Sequence, residues 1–385
     1  MTVITDSDEL AAFCARQRET DFVAIDTEFM RERTYWPILC LVQVAGPEEA
    51  AAIDATVPGI DLAPLLELLA NPGIRKVFHA ARQDIEIFVN LTGAVPEPLF
   101  DTQIAAMVCG FGDAVSYETL VAKLAKAPLD KSSRFTDWSH RPLTERQIRY
   151  ALDDVVHLRT VYERLQQKLA ENGRAAWFGE EMAALVNPAL YHNEPSEAWR
   201  RFRLRGRVDQ RFFGVLREVA AWREIAAQQR NLPRGRIIKD EAVLEIASHI
   251  PRSIEALART RSLGKGLAEG KLGGEILDAV RRGLETAGAV APPTARADSP
   301  PGLGPLIELL RVLLKHRCEE HQVAQKLLAS ADDLDAIAAD DHADVPALSG
   351  WRYEIFGRDA IALKHGRLAL TARNNRIALV EPVLP

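Results

Sequence analysis

Cysteine is scarce: Cys14, Cys40, Cys109 and Cys318 are the only four in 385 residues, set far apart with no CxxC pair and no His/Cys metal spacing. That pattern argues against a disulfide framework and against structural zinc, and a reducing cytoplasm is the compartment expected. Long apolar runs are missing too, since no stretch approaches the ~18–20 residues that span a bilayer. The opening MTVITDSDEL carries acids where a secretory signal carries bases and then an apolar run, so neither a secreted nor a membrane protein is expected. Nor is there an excess of positive charge: 48 Lys and Arg stand against 54 Asp and Glu, a net charge of −6. This excludes a protein coated in basic charge, though not a local basic track. What remains is a globular composition, 47% hydrophobic and 26% charged. Its length suits two or three domains of ~100–200 residues.

Residues 1–175 alternate β-rich runs with amphipathic helical ones. FVAIDTEFM (22–30), ILCLVQVAG (38–46), AAID (51–54) and KVFHA (76–80) read as strands. The first two follow one another with no helix between, which predicts an antiparallel pair opening a mixed sheet. Helical patterns follow at 62–70, 82–90, 101–109 and 117–126, then a long one from 144 to 171. Pro142, Thr144 as N-cap and Gln147 three residues on form a capping-box signature at its start. The fold expected is an α/β domain with helices covering a mixed sheet. Beyond a connecting segment at 176–205 the strand signal fades, and helical blocks at 206–287 and 305–385 flank a Pro- and Ala-rich linker at 288–304. The two blocks are similar in length and character, which leaves a duplication open.

Three segments carry the residues able to do chemistry. Asp26 and Glu28 are two apart on a strand, so their carboxylates project to one side. Two acids on one face of a buried strand repel, and a divalent cation removes that cost. Taken alone, a D-x-E triplet also fits an edge strand facing solvent. Tyr150 and Asp154, at i and i+4, stack on one helical face; Asp153 next door is out of phase with Tyr150. Asp84 falls in the first turn of a helix, where an acid also complements the dipole. Asp101 reads as a structural N-cap. Four acids in one pocket would be untenable without cations, and two divalent ions would neutralise them and clamp the oxygens of a phosphodiester. Oxygen-only ligation favours Mg²⁺ or Mn²⁺ over zinc.

These motifs resemble the DEDD exonuclease superfamily, in its tyrosine-bearing branch. DTEFMRERTYWPILCLVQVA, LFDTQIAAMVCGFG and LDKSSRFTDWSHRPLTERQIRYALDDVVHL are similar to the bacterial ribonuclease D family. LREVAAWREIAAQQRNLPRGRIIKDEAVLEIASHIP, within 216–257, resembles the helicase-and-RNase-D C-terminal (HRDC) domain, and the tail around LSGWRYEIFG resembles a second, diverged copy. The resemblance implies a ribonuclease-H-like mixed-sheet exonuclease domain followed by two small all-helical HRDC-like domains. It further implies a 3′→5′ exoribonuclease that releases nucleoside 5′-monophosphates and matures tRNA precursors with 3′ trailers; the three-domain layout is compatible with a monomer, the state expected. On the same basis Asp26, Glu28 and Asp154 hold the first metal, Asp26 bridges to a second supported by Asp84, and Tyr150 orients the attacking water.

Between Arg200 and Asp240 there are 12 Lys and Arg against 4 Asp and Glu, the footprint expected where a phosphate backbone lies. WRRFRLRGR interleaves Trp199 and Phe202 with Arg201, Arg203 and Arg205, a combination suited to stacking on bases while pairing phosphates. The bland alternative is that these arginines pair with acids of a neighbouring domain. Nearer the acids, Phe29, Met30, His79, Gln83, Arg134 and Trp138 are expected contacts to the terminal nucleotides. Phe29 also fits a core position, and His79 a role satisfying a backbone group. The same chemistry on single-stranded DNA stays open, because discrimination rests on contacts to the 2′-OH. A nucleic-acid-binding scaffold with silent acids is the third reading.

Overall fold

The computed structural model describes residues 2–130, 136–204, 208–292 and 302–382. They fall into two compact units, one made of the residues up to Glu28, those from Leu39 to Leu190 and those beyond the linker, the other of Phe29–Ile38 and the residues from Tyr191 onward to the linker.

The first unit is built on a six-stranded sheet. In chain order its elements are β1 (Thr2–Ile4), α1 (Ser7–Gln17), β2 (Phe22–Met30), β3 (Ile38–Ala45), β4 (Ala50–Asp54), α2 (Ala63–Ala70), β5 (Arg75–Phe78), α3 (Arg82–Thr92), β6 (Leu99–Asp101), α4 (Thr102–Val108), α5 (Tyr117–Leu120), α6 (Glu145–Glu171) and α7 (Ala175–Leu185). The strand order is β1-β4-β3-β2-β5-β6, so the consecutive strands β2 and β3 are neighbours at its centre. β3 runs antiparallel to β4, while β2, β5 and β6 are parallel, with Ala24 opposite Val77 and Phe78 opposite Asp101. The sheet is mixed, and three carboxyl ends open on one edge, where open α/β sheets bind ligands. β1, α1 and α7 are additions to the sequence reading. Three residues, as in TVI, are too few to display a two-residue period.

α6 starts where its chemistry requires: the Gln147 amide donates to the Thr144 hydroxyl at 3.3 Å, and the Thr144 amide donates back to Gln147 Oε1 at 3.0 Å. Its inner face buries Val155, Leu158, Tyr162 and Leu165 against Phe22, Ala24, Val77 and Phe100 of the sheet.

The second unit carries α8 (Gln210–Arg230), α9 (Arg234–Ile237), α10 (Asp240–His249), α11 (Ile254–Leu257), α12 (Lys265–Ala268) and α13 (Lys271–Glu285). α8 and α13 cross at paired glycines. A Cβ on Gly214 would stand 2.2 Å from the Gly283 carbonyl oxygen, so only glycine permits this approach. Val215, Leu216, Val219, Val243, Ile246 and Ile276 form the core of this bundle.

The last block contains α14 (Gly304–His321), α15 (Gln325–Leu328), α16 (Ala331–Ala339), α17 (Gly350–Arg352) and α18 (Arg358–Lys364). It shares a continuous hydrophobic core with the sheet domain: Leu310, Leu313, Leu314 and Phe356 join the same cluster as Phe100 and Val108. Trp177 of α7 stacks on Trp351 with centroids 4.4 Å apart. Arg174 donates to the carbonyls of Val108 and Gln322, each at 2.8 Å. The block is not wholly helical as expected: it ends in an antiparallel hairpin, β7 (Ala369–Arg373) with β8 (Arg376–Val380). Asn374 and Asn375 both take positive φ (51° and 61°). Such values suit the primed turn that a two-residue hairpin loop demands. Among the described residues no helix is long and apolar enough to cross a membrane.

Candidate active site

Asp26 and Glu28 lie near the carboxyl end of β2, both half-buried, with Thr27 between them buried. The pleat sends the two acids the same way. α6 delivers Asp154 to them, and one carboxylate oxygen from each of Asp26, Glu28 and Asp154 lies within 4.8 Å of the others. Asp84, buried in the first turn of α3, accepts a hydrogen bond from the Thr27 hydroxyl and stands outside this tight trio. Its charge nonetheless acts on Glu28. Tyr150 reaches the group from one turn before Asp154 and is hydrogen-bonded to it.

The electrostatics follow from that convergence. Loss of water pushes the Asp26 carboxyl up, against a backbone hydrogen bond at Thr27. Glu28 is pushed up further, by desolvation and then by the charges of Asp26, Asp154 and Asp84. Asp84 rises through burial and the nearby Asp26. Desolvation and the acids Asp154, Glu28 and Asp26 likewise raise Tyr150, so its hydroxyl keeps its proton. Hard oxygen donors at this spacing, each made costly to ionise by the others, are the donor set that a divalent cation suits.

A cavity of about 470 Å³ opens beside the trio, lined by Asp26, Tyr150 and Asp154 together with His79, Gln103 and Tyr117. Among the expected nucleotide contacts, His79 is therefore brought to the site. Its Nδ1 is 3.0 Å from Thr102 Oγ1, and burial lowers its pKa, keeping the ring neutral. Gln83 is exposed on α3 and is not part of that lining. Trp138 is only 3% exposed and packs 6.0 Å from the Tyr150 ring, a buried neighbour of the tyrosine. Phe29 and Met30 end β2, both half-buried. Arg134 and Arg205 lie outside the described residues. Asp153 also lines the cavity, beside Asp154 but a residue out of phase with Tyr150. Asp101 caps α4 by accepting from the Gln103 and Ile104 amides, and also accepts from Ala80 and Ala81.

In the second unit Arg201 and Arg203 are exposed, and Arg201 lines a shallow cavity with Arg223, Arg234 and Lys239. Phe202 does not stack on bases: it is buried in the bundle core with the Arg223 guanidinium 5.3 Å from its ring centre. The bundle core around α8 has claimed the aromatic that the local sequence offered to nucleic acid. Trp199 packs edge-on against Phe213 at 4.9 Å. Several of the arginines do pair with acids, but within their own unit, as Arg223 does with Asp240 at 2.6 Å and Arg234 with Glu224 at 2.5 Å. The residue that sequence reasoning missed is Tyr117, in a segment with no motif of its own; its nearness to Asp154 and Asp26 arises only in the folded chain, where the start of α5 and the face of α6 line one cavity.

Residues 1–170 match the 3′-5′ exonuclease family and residues 212–280 the HRDC domain. The chain is 51% identical over 381 residues to ribonuclease D of Granulibacter bethesdensis, covering 98% of this chain and 96% of that protein. It is 49% identical over 381 residues to ribonuclease D of Nitrobacter hamburgensis, covering 99% and 100%. Among solved structures, that of Escherichia coli RNase D, described as an exoribonuclease involved in structured RNA processing, matches with a TM-score of 0.78 and 30% identity over 94% of this chain and 98% of that one. Likeness over nearly the full length, joined to an exonuclease fold with an acidic trio at the carboxyl end of its central strand β2, leads to one conclusion: the chain belongs to the ribonuclease D family.

Proposed function

We propose that this protein hydrolyses RNA from its 3′ end, releasing nucleoside 5′-monophosphates one at a time, with tRNA precursors bearing 3′ trailers as its substrates. The observation that carries the reading is the convergence of Asp26, Glu28 and Asp154 within 4.8 Å beside a nucleotide-sized cavity. Asp26, Glu28 and Asp154 are the residues to hold one divalent ion, Mg²⁺ or Mn²⁺, with Asp26 and Asp84 holding a second. Ions bound there supply Lewis acidity and lower the pKa of water.

The chain's own groups do the rest. Tyr150 retains its proton at Oη, because burial and the surrounding acids oppose its loss. It therefore orients the attacking water by a hydrogen bond and does not act as a base. Asp154 fixes the Tyr150 hydroxyl through their mutual hydrogen bond. Thr27 fixes Asp84 in turn. Exposed Arg201 and Arg203 in the second unit suit phosphates of an RNA backbone. We assign the exonuclease domain to residues 1–175 and the HRDC-like domains to 206–287 and 305–385, with 176–205 and 288–304 as connections. The working protein is read as a cytoplasmic monomer.

Degradation of matched RNA and DNA oligonucleotides carrying 3′ extensions tests the reading. Stepwise shortening of the RNA from its 3′ end with release of 5′-monophosphates is expected, and preferential digestion of the DNA would overturn it. Tyr150→Phe is expected to cut turnover on the order of a hundredfold while leaving Mn²⁺ affinity, measured by calorimetry, intact. Equal loss of both would place Tyr150 in metal binding instead.

A further inference from the structure

Resting on the exoribonuclease reading above, we propose that Tyr117 and His79 form an aromatic wall on which the 3′-terminal base of the RNA stacks. The two rings are neighbours, tilted 51° to each other with centroids 5.6 Å apart, and both line the cavity that holds Asp26, Tyr150 and Asp154. Neither ring is free to turn away. The Tyr117 hydroxyl donates to the Asp153 carbonyl at 2.9 Å, and the His79 Nδ1 is 3.0 Å from the Thr102 hydroxyl. With their polar ends engaged by the protein, both side chains offer the cavity mainly ring surface.

The backbone on this side of the cavity is unusual. Ala80 (φ 57°), next to His79, and Ala114 (φ 46°), three residues before Tyr117, both adopt the left-handed conformation, and both line the same cavity. A residue with a Cβ seldom occupies that region, and where it does the surrounding structure must impose it. Here the Asp101 carboxylate imposes it at Ala80, accepting from the Ala80 and Ala81 amides at 3.2 and 2.8 Å. The turn after β5 and the loop before α5 are thus held in costly shapes that deliver one ring each to the cavity. The small alanines leave room beside them.

Cleavage at the acids frees the nucleotide on the 3′ side of the scissile bond, so its base needs a surface within this cavity. Every base has a π-face, so a stacking wall accepts them in any order. That suits an enzyme removing successive nucleotides of a mixed sequence. Tyr117 lies near Asp26 and Asp154, but its hydroxyl is committed to the Asp153 carbonyl, so the wall offers the RNA end a surface to grip and no group to the bond being broken.

The test uses the full-length protein, with Ca²⁺ replacing the active ion, and an RNA ending in 3′-terminal 2-aminopurine, whose fluorescence falls on stacking. Quenching is expected with the parent protein and with Tyr117→Phe, and its loss with Tyr117→Leu. In Mg²⁺, a 3′-terminal abasic RNA should be cleaved with kcat/KM about tenfold below that of the intact RNA by the parent, chiefly through KM. Tyr117→Leu should treat the two RNAs alike. Undiminished quenching in Tyr117→Leu, or loss of quenching in Tyr117→Phe equal to that in Tyr117→Leu, would overturn the proposal. Should Tyr117→Leu not fold, the parent protein alone decides, since equal cleavage of abasic and intact ends overturns the wall. A parent protein that shortens no RNA at all would instead refute the exoribonuclease reading.

Discussion

Glu28 and Glu224 are two glutamates drawn out of water in one chain, and their carboxyls move in opposite directions. Burial pushes both up. At Glu28 the charges of Asp26, Asp154 and Asp84 push further the same way. At Glu224 the push is outweighed by hydrogen bonds from Arg234 and Tyr35 and by the Arg234 charge, so the carboxyl ends below the usual glutamate range. The Arg234 Nε and Nη2 bind its two oxygens at 2.5 Å each, and Asn231 Oδ1 accepts from the Tyr35 and Trp36 amides at 3.1 and 3.0 Å. The second arrangement is complete within the protein and serves to hold residues 29–38 against α8. The first is complete only with cations added. A buried acid thus marks a site when its neighbours share its sign, and a clamp when they oppose it.

The sharpest way to break that contrast is Asp26→Asn. Loss of one metal-holding acid is expected to cost about a thousandfold in exonuclease rate, the equivalent of several kcal/mol of lost charge stabilisation. In chelator, the same variant should melt no lower than the parent, because a repelling charge has gone. Parent protein should gain about 2.7 kcal/mol when Mn²⁺ is raised to a hundred times its Kd; the variant should gain much less. Thermal melts with and without Mn²⁺, beside an RNA assay, check all three. A variant destabilised in chelator would make Asp26 structural.

Next in size comes Glu224→Gln, which leaves Arg234 without its counter-charge and should cost about 3–5 kcal/mol of stability, read by denaturant titration at neutral pH. pH separates the two regions further. Glu224 has a lowered folded pKa, so its contribution is full above the ordinary glutamate range, begins to fall there, and is lost as pH falls on through the lowered folded value. Asp26, Glu28 and Asp84 have raised folded pKa values, so in chelator their region gains stability as pH falls below neutrality. Amide exchange followed from pH 7 to pH 4 should show protection rising around β2 and falling around α8. The same trend in both would dissolve the contrast. The smallest effect belongs to the exposed charges. Arg201→Ala should weaken RNA binding uniformly across sequences and reduce the slope of log affinity against log salt by about one. An unchanged slope would remove Arg201 from the RNA path.

Much of the catalytic side of this contrast was legible in the chain. The alternation in FVAIDTEFM assigns Asp26 and Glu28 to one face, and a four-residue spacing puts Asp154 rather than Asp153 in phase with Tyr150. Both are local statements, and both describe where these side chains lie. Gln83 and Phe202 were harder. Gln83 sits one residue from Asp84, and in a helix one residue is about 100° of rotation, enough to leave it exposed while Asp84 is buried. Phe202 looked like part of a basic, aromatic RNA track, yet a bundle core stood ready to bury it. The hairpin at 369–380 was signalled by Asn374 and Asn375 between alternating strands, a two-residue turn easily lost in a mostly helical stretch.

Sequence alone determined the periodicities, the caps and the identities of the acids, because each is decided within a turn of helix or a few residues of strand. Only the tertiary structure decided that β2, β5 and β6 run parallel so that their ends meet one cavity, that Tyr117 and His79 share its wall, and that the last block joins the sheet domain's core. Those outcomes depend on contacts between residues tens to hundreds of positions apart, whose free energy comes from jointly excluding water and so cannot be assigned to any one segment.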